Sequence, residues 1–285
     1  MSEPYDIDYA SITELDLSNQ QLDVLPDLSM YINLVKLDCY NNNITSLNNL
    51  PFSLEYLNCG SNNITLLDNL PDSLIELRCS YNKLTSLDNL PPSLKKLYCE
   101  NNKITSLDNL PHNLEYLNCS DNHLTSLDNL PYNIIELHCY YNSINKLDNL
   151  PTNLYELHCS WNKLTLLDNL PLNLKELYCG YNQITLLDNL PSNLKELNCS
   201  WNQITLLDNL PQGLKILDCS HNQITSLDNL PTKLEKLICG SNNLTSLDNL
   251  PSSLKELSCD GNPFIYDFNP TLENIRNYNA SRMIS

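Results

Sequence analysis

Twelve cysteines stand at intervals of twenty residues, from Cys39 and Cys59 to Cys259. A thiol series of that kind could pair as disulfides, hold a soft metal, or supply a row of nucleophiles. Two imidazoles, His138 and His158, and four carboxylates, Glu136, Glu156, Glu176 and Glu196, recur at the same interval. They are the acids, bases and ligands that such chemistry would use. Zinc, however, wants ligands clustered as in CxxC, and no two cysteines here lie closer than twenty residues. The two imidazoles lack a converging third ligand, so neither a metal nor any other cofactor is expected. No Gly-rich phosphate loop or nucleophile elbow accompanies the acids. No catalytic residue is assigned, and the chain reads as a non-enzyme.

The constant interval has a simpler source in a repeat. Aligning Leu54, Leu74, Leu94 and each twentieth residue to Leu254 gives one pattern, LxxLxCxxNxI/LTxLDNLPxx. The copy at Leu34 has Asn48 where later copies have Asp, and a divergent first copy starts at Ile12 with Leu17 at the cysteine position. That makes thirteen copies. One copy is too small to bury its own apolar residues, so copies must stack and share a core. In LYELHCS the side chains alternate, Leu157 inward, His158 outward and Cys159 inward, which is the period of a strand. Stacked copies then form a parallel sheet with strands about 4.8 Å apart. The other half, TLLDNLPLN, is too short and contains Pro171, so it predicts an extended or one-turn 3₁₀ return path.

LxxLxCxxNxI resembles the signature of leucine-rich repeats, with Cys in place of the usual third Leu. Its length and LPxxL segment resemble the shortest class, the 20-residue repeats of bacterial effectors. The Cys- and Asn-rich arrays of amoebal protists and giant viruses are also similar. The resemblance implies a leucine-rich repeat solenoid, a horseshoe or arc with a parallel β-sheet on the concave face and an extended or 3₁₀ convex face. Its expected divisions are an N-terminal cap (1–11), the repeats (12–264) and a C-terminal cap (265–285). In the C-terminal cap, TLENIRNYNA is expected to be a short helix with Thr271 as N-cap, covering the last turn. Function follows from the site and not from this scaffold.

Three columns read as structural. The inward cysteines are packing, with thiols made inert by apolar surroundings. The asparagines from Asn42 to Asn262 are expected to bond the backbone of neighbouring turns, as the resemblance implies. The ten aspartates from Asp68 to Asp248 are expected to cap the LDNLP turn through their own backbone, because one carboxylate per loop is too few for calcium.

Binding residues are sought where the copies differ. The eighth positions of copies seven to eleven read Tyr141, Trp161, Tyr181, Trp201 and His221, and both tryptophans of the protein lie in this column. Beside them stand His138, His158 and Tyr178, with Tyr140 adjacent and the glutamates 136, 156, 176 and 196 in succession. Exposed aromatics beside charge are typical of a protein-binding hot spot. The leading expectation is a non-enzymatic module binding a protein, host or cellular, with a basic segment, on its concave face. The alternatives are a glycan-binding protein or enzyme using the His/Trp/Tyr cluster, a spacer with no partner, or aromatics that merely tile a sheet.

Composition narrows the partners. The 285 residues carry 34 acidic and 16 basic side chains, a net charge of −18. So acidic a chain repels phosphate backbones and anionic lipid heads, which excludes nucleic acid and membrane surfaces as expected partners. MSEPYDIDYA has no apolar run and is not expected to be a signal peptide. The protein is therefore expected to be an intracellular monomer with reduced thiols, in the cytoplasm or a host cytoplasm.

Overall fold

A computed structural model describes residues 8–282. Residues 1–7 of the expected N-terminal cap and 283–285 of the C-terminal cap lie outside the described residues. The chain divides into two compact units, Met1–His138 and Cys139–Ser285. Thirteen strands of three residues each follow the repeat. The first unit holds seven, from β1 (Glu14–Asp16) to β7 (Glu136–His138), and the second holds six, from β8 (Glu156–His158) to β13 (Glu256–Ser258). Within each unit successive strands pair in parallel with no crossover, and like stands opposite like: Leu157 opposite Leu177, Glu156 opposite Glu176. Each unit is thus a stack of turns, the solenoid the repeat predicts.

The core is a set of columns. Leu154, Leu157, Cys159 and Leu164 are wholly buried, and so are their equivalents in copies two to twelve. Burying such a side chain contributes about 1.5–3 kcal/mol, while ordering each residue costs about 1–2. The copies are therefore stable only together.

Two corners per copy turn the chain, and both use positive φ. One is the eighth position (Asn41, Ser61, Asn101), the other the Asn of DNLP (Asn69, Asn89, Asn169), with φ between 52° and 62° at these six. Asn tolerates this left-handed region better than most side chains, which explains why the DNLP asparagine recurs in every twenty-residue copy. After it the chain runs extended to Pro, and a turn closes from the Pro carbonyl to the Leu three residues on, as in Leu74 N–H to Pro71 O at 3.1 Å. Of the two expected forms the return path takes the extended one. Between residues 12 and 265 no 3₁₀ or α-helix occurs among the described residues.

The buried asparagines bind the copies together. Asn62 Nδ2 donates to Cys59 O and, across the stack, to Cys39 O, both at 3.0 Å. Its Oδ1 accepts from Ile44 N–H at 2.9 Å. Asn82, Asn102, Asn182 and Asn202 repeat the set. Asp68 and Asp108 behave differently from the expectation. Asp68 and Asp108 accept from the left-handed Asn of the next copy, Asn89 and Asn129, at 3.1 and 3.0 Å. Ser106, Ser226 and Ser246 donate to the Asp two residues on. At Asp68 and Asp108 the side chain bonds along the stack because the asparagine of the following copy offers the donor.

The last turn is closed as expected. Helix α1 (Leu272–Arg282) starts at Thr271, whose Oγ1 accepts from Asn274 N–H at 3.2 Å. Inside the stack, Ser73 and Ser253 hydroxyls bond the carbonyls of Leu54 and Leu234. At the open end Arg276 takes that part, donating to Leu254 O at 2.9 Å and Pro251 O at 3.0 Å. Ile275 is buried beneath the helix. No described helix is long and apolar enough to cross a membrane.

None of the twelve cysteines is in a disulfide, and all are buried. Burial pushes the thiols of Cys39, Cys119 and Cys159 up to about 12, and that of Cys259, under the cap, to about 11. Thiolates are thus scarce at neutral pH. A thiol reagent should label the native protein slowly, reaching Cys259 first, and label all twelve only on unfolding; fast native labelling of interior cysteines would contradict this packing. Asn102→Ala should lower stability by roughly 1–3 kcal/mol, the cost of buried groups left unpaired. Denaturant unfolding measures it, and an unchanged midpoint would exclude the amide ladder as a main support.

Candidate interaction surface

Five side chains at the strand-end corner of the second unit form a stack. Tyr141, Trp161, Tyr181, Trp201 and His221 all have φ between 51° and 56°. Identical backbone at identical height projects their side chains in parallel, one per copy. Ring centroids lie 4.8, 3.7, 4.9 and 3.8 Å apart along the column, with planes within 14° of parallel. Tyr141, Trp161 and Trp201 are 41–48% exposed, so the column is a ridge and not a core. Because the faces are turned on one another, a partner meets ring edges, which present hydroxyl and indole N–H groups. Tyr140 meets Tyr141 edge to face.

Beside the ridge, on the strands themselves, His158 stacks on Tyr178 with centroids 4.2 Å apart. Its Nε2 lies 2.6 Å from Glu156 Oε1. Tyr178 donates its hydroxyl to Glu176 at 3.3 Å. Glu156, Glu176 and Glu196 stand in register on adjacent strands. Burial, and then Glu176 and Glu196, hold the Glu156 carboxyl above its ordinary value. Burial holds His158 below its ordinary value, with Glu176 opposing. Lys175 lies over the Tyr155 ring at 4.9 Å.

The remaining two sequence-predicted residues, Glu136 and His138, belong to the first unit. There His138 Nε2 is 2.9 Å from Glu136 Oε1, and the ring is tilted against Tyr116 at 5.5 Å. Sequence reasoning passed over another aromatic cluster in that unit. Arg78 sits between Tyr56 and Tyr98, 5.8 and 4.6 Å from their centroids, and is paired with Glu76 at 2.8 Å. Its signal was Tyr56, Arg78 and Tyr98 at the outward third and fifth positions of copies three to five. The corner's positive φ was also missed, since Trp and Tyr give no sign of it.

A family of leucine-rich repeats, taken two copies at a time, matches residues 72–112 and 92–132. No curated protein sequence matches the chain. Among solved structures, YopM from Yersinia enterocolitica WA-314 is 38% identical with a TM-score of 0.78, over 82% of this chain and 52% of its own. The functional domain of InlJ from Listeria monocytogenes, which includes a cysteine ladder, is 40% identical with a TM-score of 0.71, over 80% and 54%. The chain thus spans about half the length of these two. YopM from Yersinia pestis, a leucine-rich effector protein, is 32% identical with a TM-score of 0.67, over 90% of this chain and 86% of its own. The buried columns, the parallel three-residue strands and these matches make the chain a member of the leucine-rich repeat family.

Proposed function

We propose that this chain is a non-enzymatic protein-binding module whose partner docks across Trp161, Tyr181 and Trp201. Leucine-rich repeats commonly serve as protein-interaction scaffolds, which supports a protein partner. The observation that carries the reading is the stack of rings in left-handed backbone. A bulky residue in that region costs about 1–2 kcal/mol. Each stacked pair returns about 0.5–1.5 kcal/mol. Stability alone therefore gives no reason to prefer rings over the Asn that holds the same corner at Asn41 and Asn101. A rigid, half-exposed aromatic ridge does have a use in binding, because large rings offer contact area at little entropy cost. Glu156, Glu176 and Glu196 on the adjacent strands favour a basic partner segment and speed its approach at low salt.

The glycan reading fits less well, because sugars pack against ring faces and here the faces are taken up within the stack. The Glu156–His158 pair has the opposed pKa shifts of a catalytic pair, yet it lies on an open strand face. It serves better as a fixed polar support for the glutamate column.

Replacing Trp161 by Asn keeps a side chain this corner already accommodates elsewhere. Trp161→Asn should weaken a partner captured from lysate by about 2 kcal/mol or more while leaving the melting temperature nearly unchanged. Glu156→Lys should chiefly slow association and flatten its salt dependence, and Asn101→Ala should do little. Affinity and rate measurements on the three variants decide the matter, and a Trp161→Asn protein that binds like the parent would leave the ridge as sheet tiling.

His158 should be neutral at pH 7, leaving the charge of this face to the glutamates. Its pKa is lowered on folding, so its contribution to stability is complete above the ordinary 6.5 and is lost as pH falls through that value toward the folded pKa. The ring resonances in an NMR titration should shift with a midpoint below 6.5. A midpoint at or above it would mean that Glu156 and Glu176 outweigh burial.

A further inference from the structure

A second surface differs from the ridge and overlaps it in copies eight to ten. At the thirteenth position Ser is the commonest residue, as at Ser106, Ser126 and Ser226; Leu66 stands alone in copy three, and copies eight to ten carry three leucines in succession, Leu166, Leu186 and Leu206. All three are exposed, at 46–48%, while Leu167, Leu187 and Leu207 beside them are buried in the core. Nothing in the fold requires the change, since Ser occupies the position elsewhere on the same backbone. The result is an apolar strip with one leucine per copy. At its start lies an open hollow of about 450 Å³ lined by Lys146, Lys163, Leu166, Asp148 and Asp168.

Area and charge say what covers it. Three half-exposed leucines offer a few hundred Å² at most, well short of the ~800 Å² per partner of a stable interface between folded proteins. A second copy of this chain would also bring its own acids against Asp168, Asp188 and Asp208, which follow each leucine by two residues, on a molecule of net charge −18. A short segment carrying opposite charge meets neither objection. The copies that carry the strip have strands about 4.8 Å apart. An α-helix laid along the stack repeats at about 5.4 Å per turn, a closer match than the roughly 6.6–6.8 Å between same-side residues of an extended strand. Lys146 and Lys163 at one end suit the negative end of the helix dipole.

We propose that Leu166, Leu186 and Leu206 form a docking strip for a short basic amphipathic helix of another protein, its C-terminus toward Lys146. Leucines of that helix seat one per copy, and its Lys or Arg residues face Asp188 and Asp208. The strip is separate from the aromatic ridge and does not depend on what the ridge binds.

The probe is a labelled 14-residue synthetic helix with a leucine on one face at every turn and lysines flanking them, titrated by fluorescence anisotropy into the full chain. The parent should bind it, and an analogue with glutamates for the lysines should bind at least tenfold more weakly. The triple variant Leu166→Ser, Leu186→Ser, Leu206→Ser should also lose at least tenfold, and its fold is safeguarded because serine is the residue other copies use there. Trp161→Asn should bind the probe like the parent. A free C-terminal carboxylate should bind more tightly than an amidated one, a difference that Lys146→Ser removes. No binding to the parent, or equal binding to the triple-serine variant, overturns the proposal. Equal affinity for the lysine and glutamate peptides overturns the charge argument, and equal affinity for the two C-termini overturns the orientation.

Discussion

The fold depends on one buried amide per copy. Beyond each three-residue strand the backbone ladder runs on for a few residues, but the Cys carbonyl and the N–H five residues after it, where the chain turns inward, take their bonds from an asparagine side chain. Unpaired, each such group would cost about 1–3 kcal/mol. The asparagine meets the need from a single side chain. In Asn182 the amide nitrogen donates to Cys179 O at 3.0 Å and to Cys159 O at 3.1 Å, and the oxygen accepts from Leu164 N–H at 2.9 Å. Its own copy and the one before are thereby fastened at the same height. The spacing of the copies, the register of the strands and the room left for the thiols all follow. Cysteine suits that room because the neighbouring leucines are already wholly buried, and a larger side chain would push the copies apart.

That fastening lets the surface vary. Since amide, leucines and cysteine hold the backbone alike in copies two to twelve, the eighth side chain there is set only by whether it tolerates positive φ. Asn, Ser and Asp meet the condition cheaply, and Gly261 meets it without strain at φ 76°. Tyr and Trp meet it at a cost; Tyr81 bears it between Ser61 and Asn101, whereas from Tyr141 to Trp201 each ring finds the next. A lone Trp at this corner would have the strain without the stack.

Most of the interior was legible in the sequence because its cause is periodic. Inward Leu157 and Cys159, the buried Asn column and the thirteen short strands follow from the alternation and the twenty-residue interval. The capping helix could be read from Thr271 behind Pro270. What stayed hidden has causes that no propensity shows. The positive φ at Trp161 is imposed by the turn, against the side chain's own preference. The aspartates were read as self-capping because Asp commonly caps its own turn, whereas the signal lay in the adjacent asparagine, equally constant and better suited to a left-handed corner. Leu166 was passed over because TLLDNLP reads as apolar on its way into the core. Only comparison with serine in the sister copies marks the first of its two leucines as outward.

The same comparison bears on function more widely. In an ordinary domain an exposed leucine or tryptophan has no internal reference, and single exposed apolar residues are normal. A repeat supplies that reference. Each copy shows what the backbone accepts at a given position, so a residue departing from its sisters there is freed from the demands of the fold. Trp161, Tyr181 and Trp201 depart from Asn, Ser and Asp, and Leu166, Leu186 and Leu206 depart from Ser; the two runs overlap in these three copies, while Tyr81 and Leu66 make the same changes singly elsewhere. Two positions changing in overlapping runs, each toward apolar exposure that the fold does not use, are what favour copies eight to ten as the region proposed to bind.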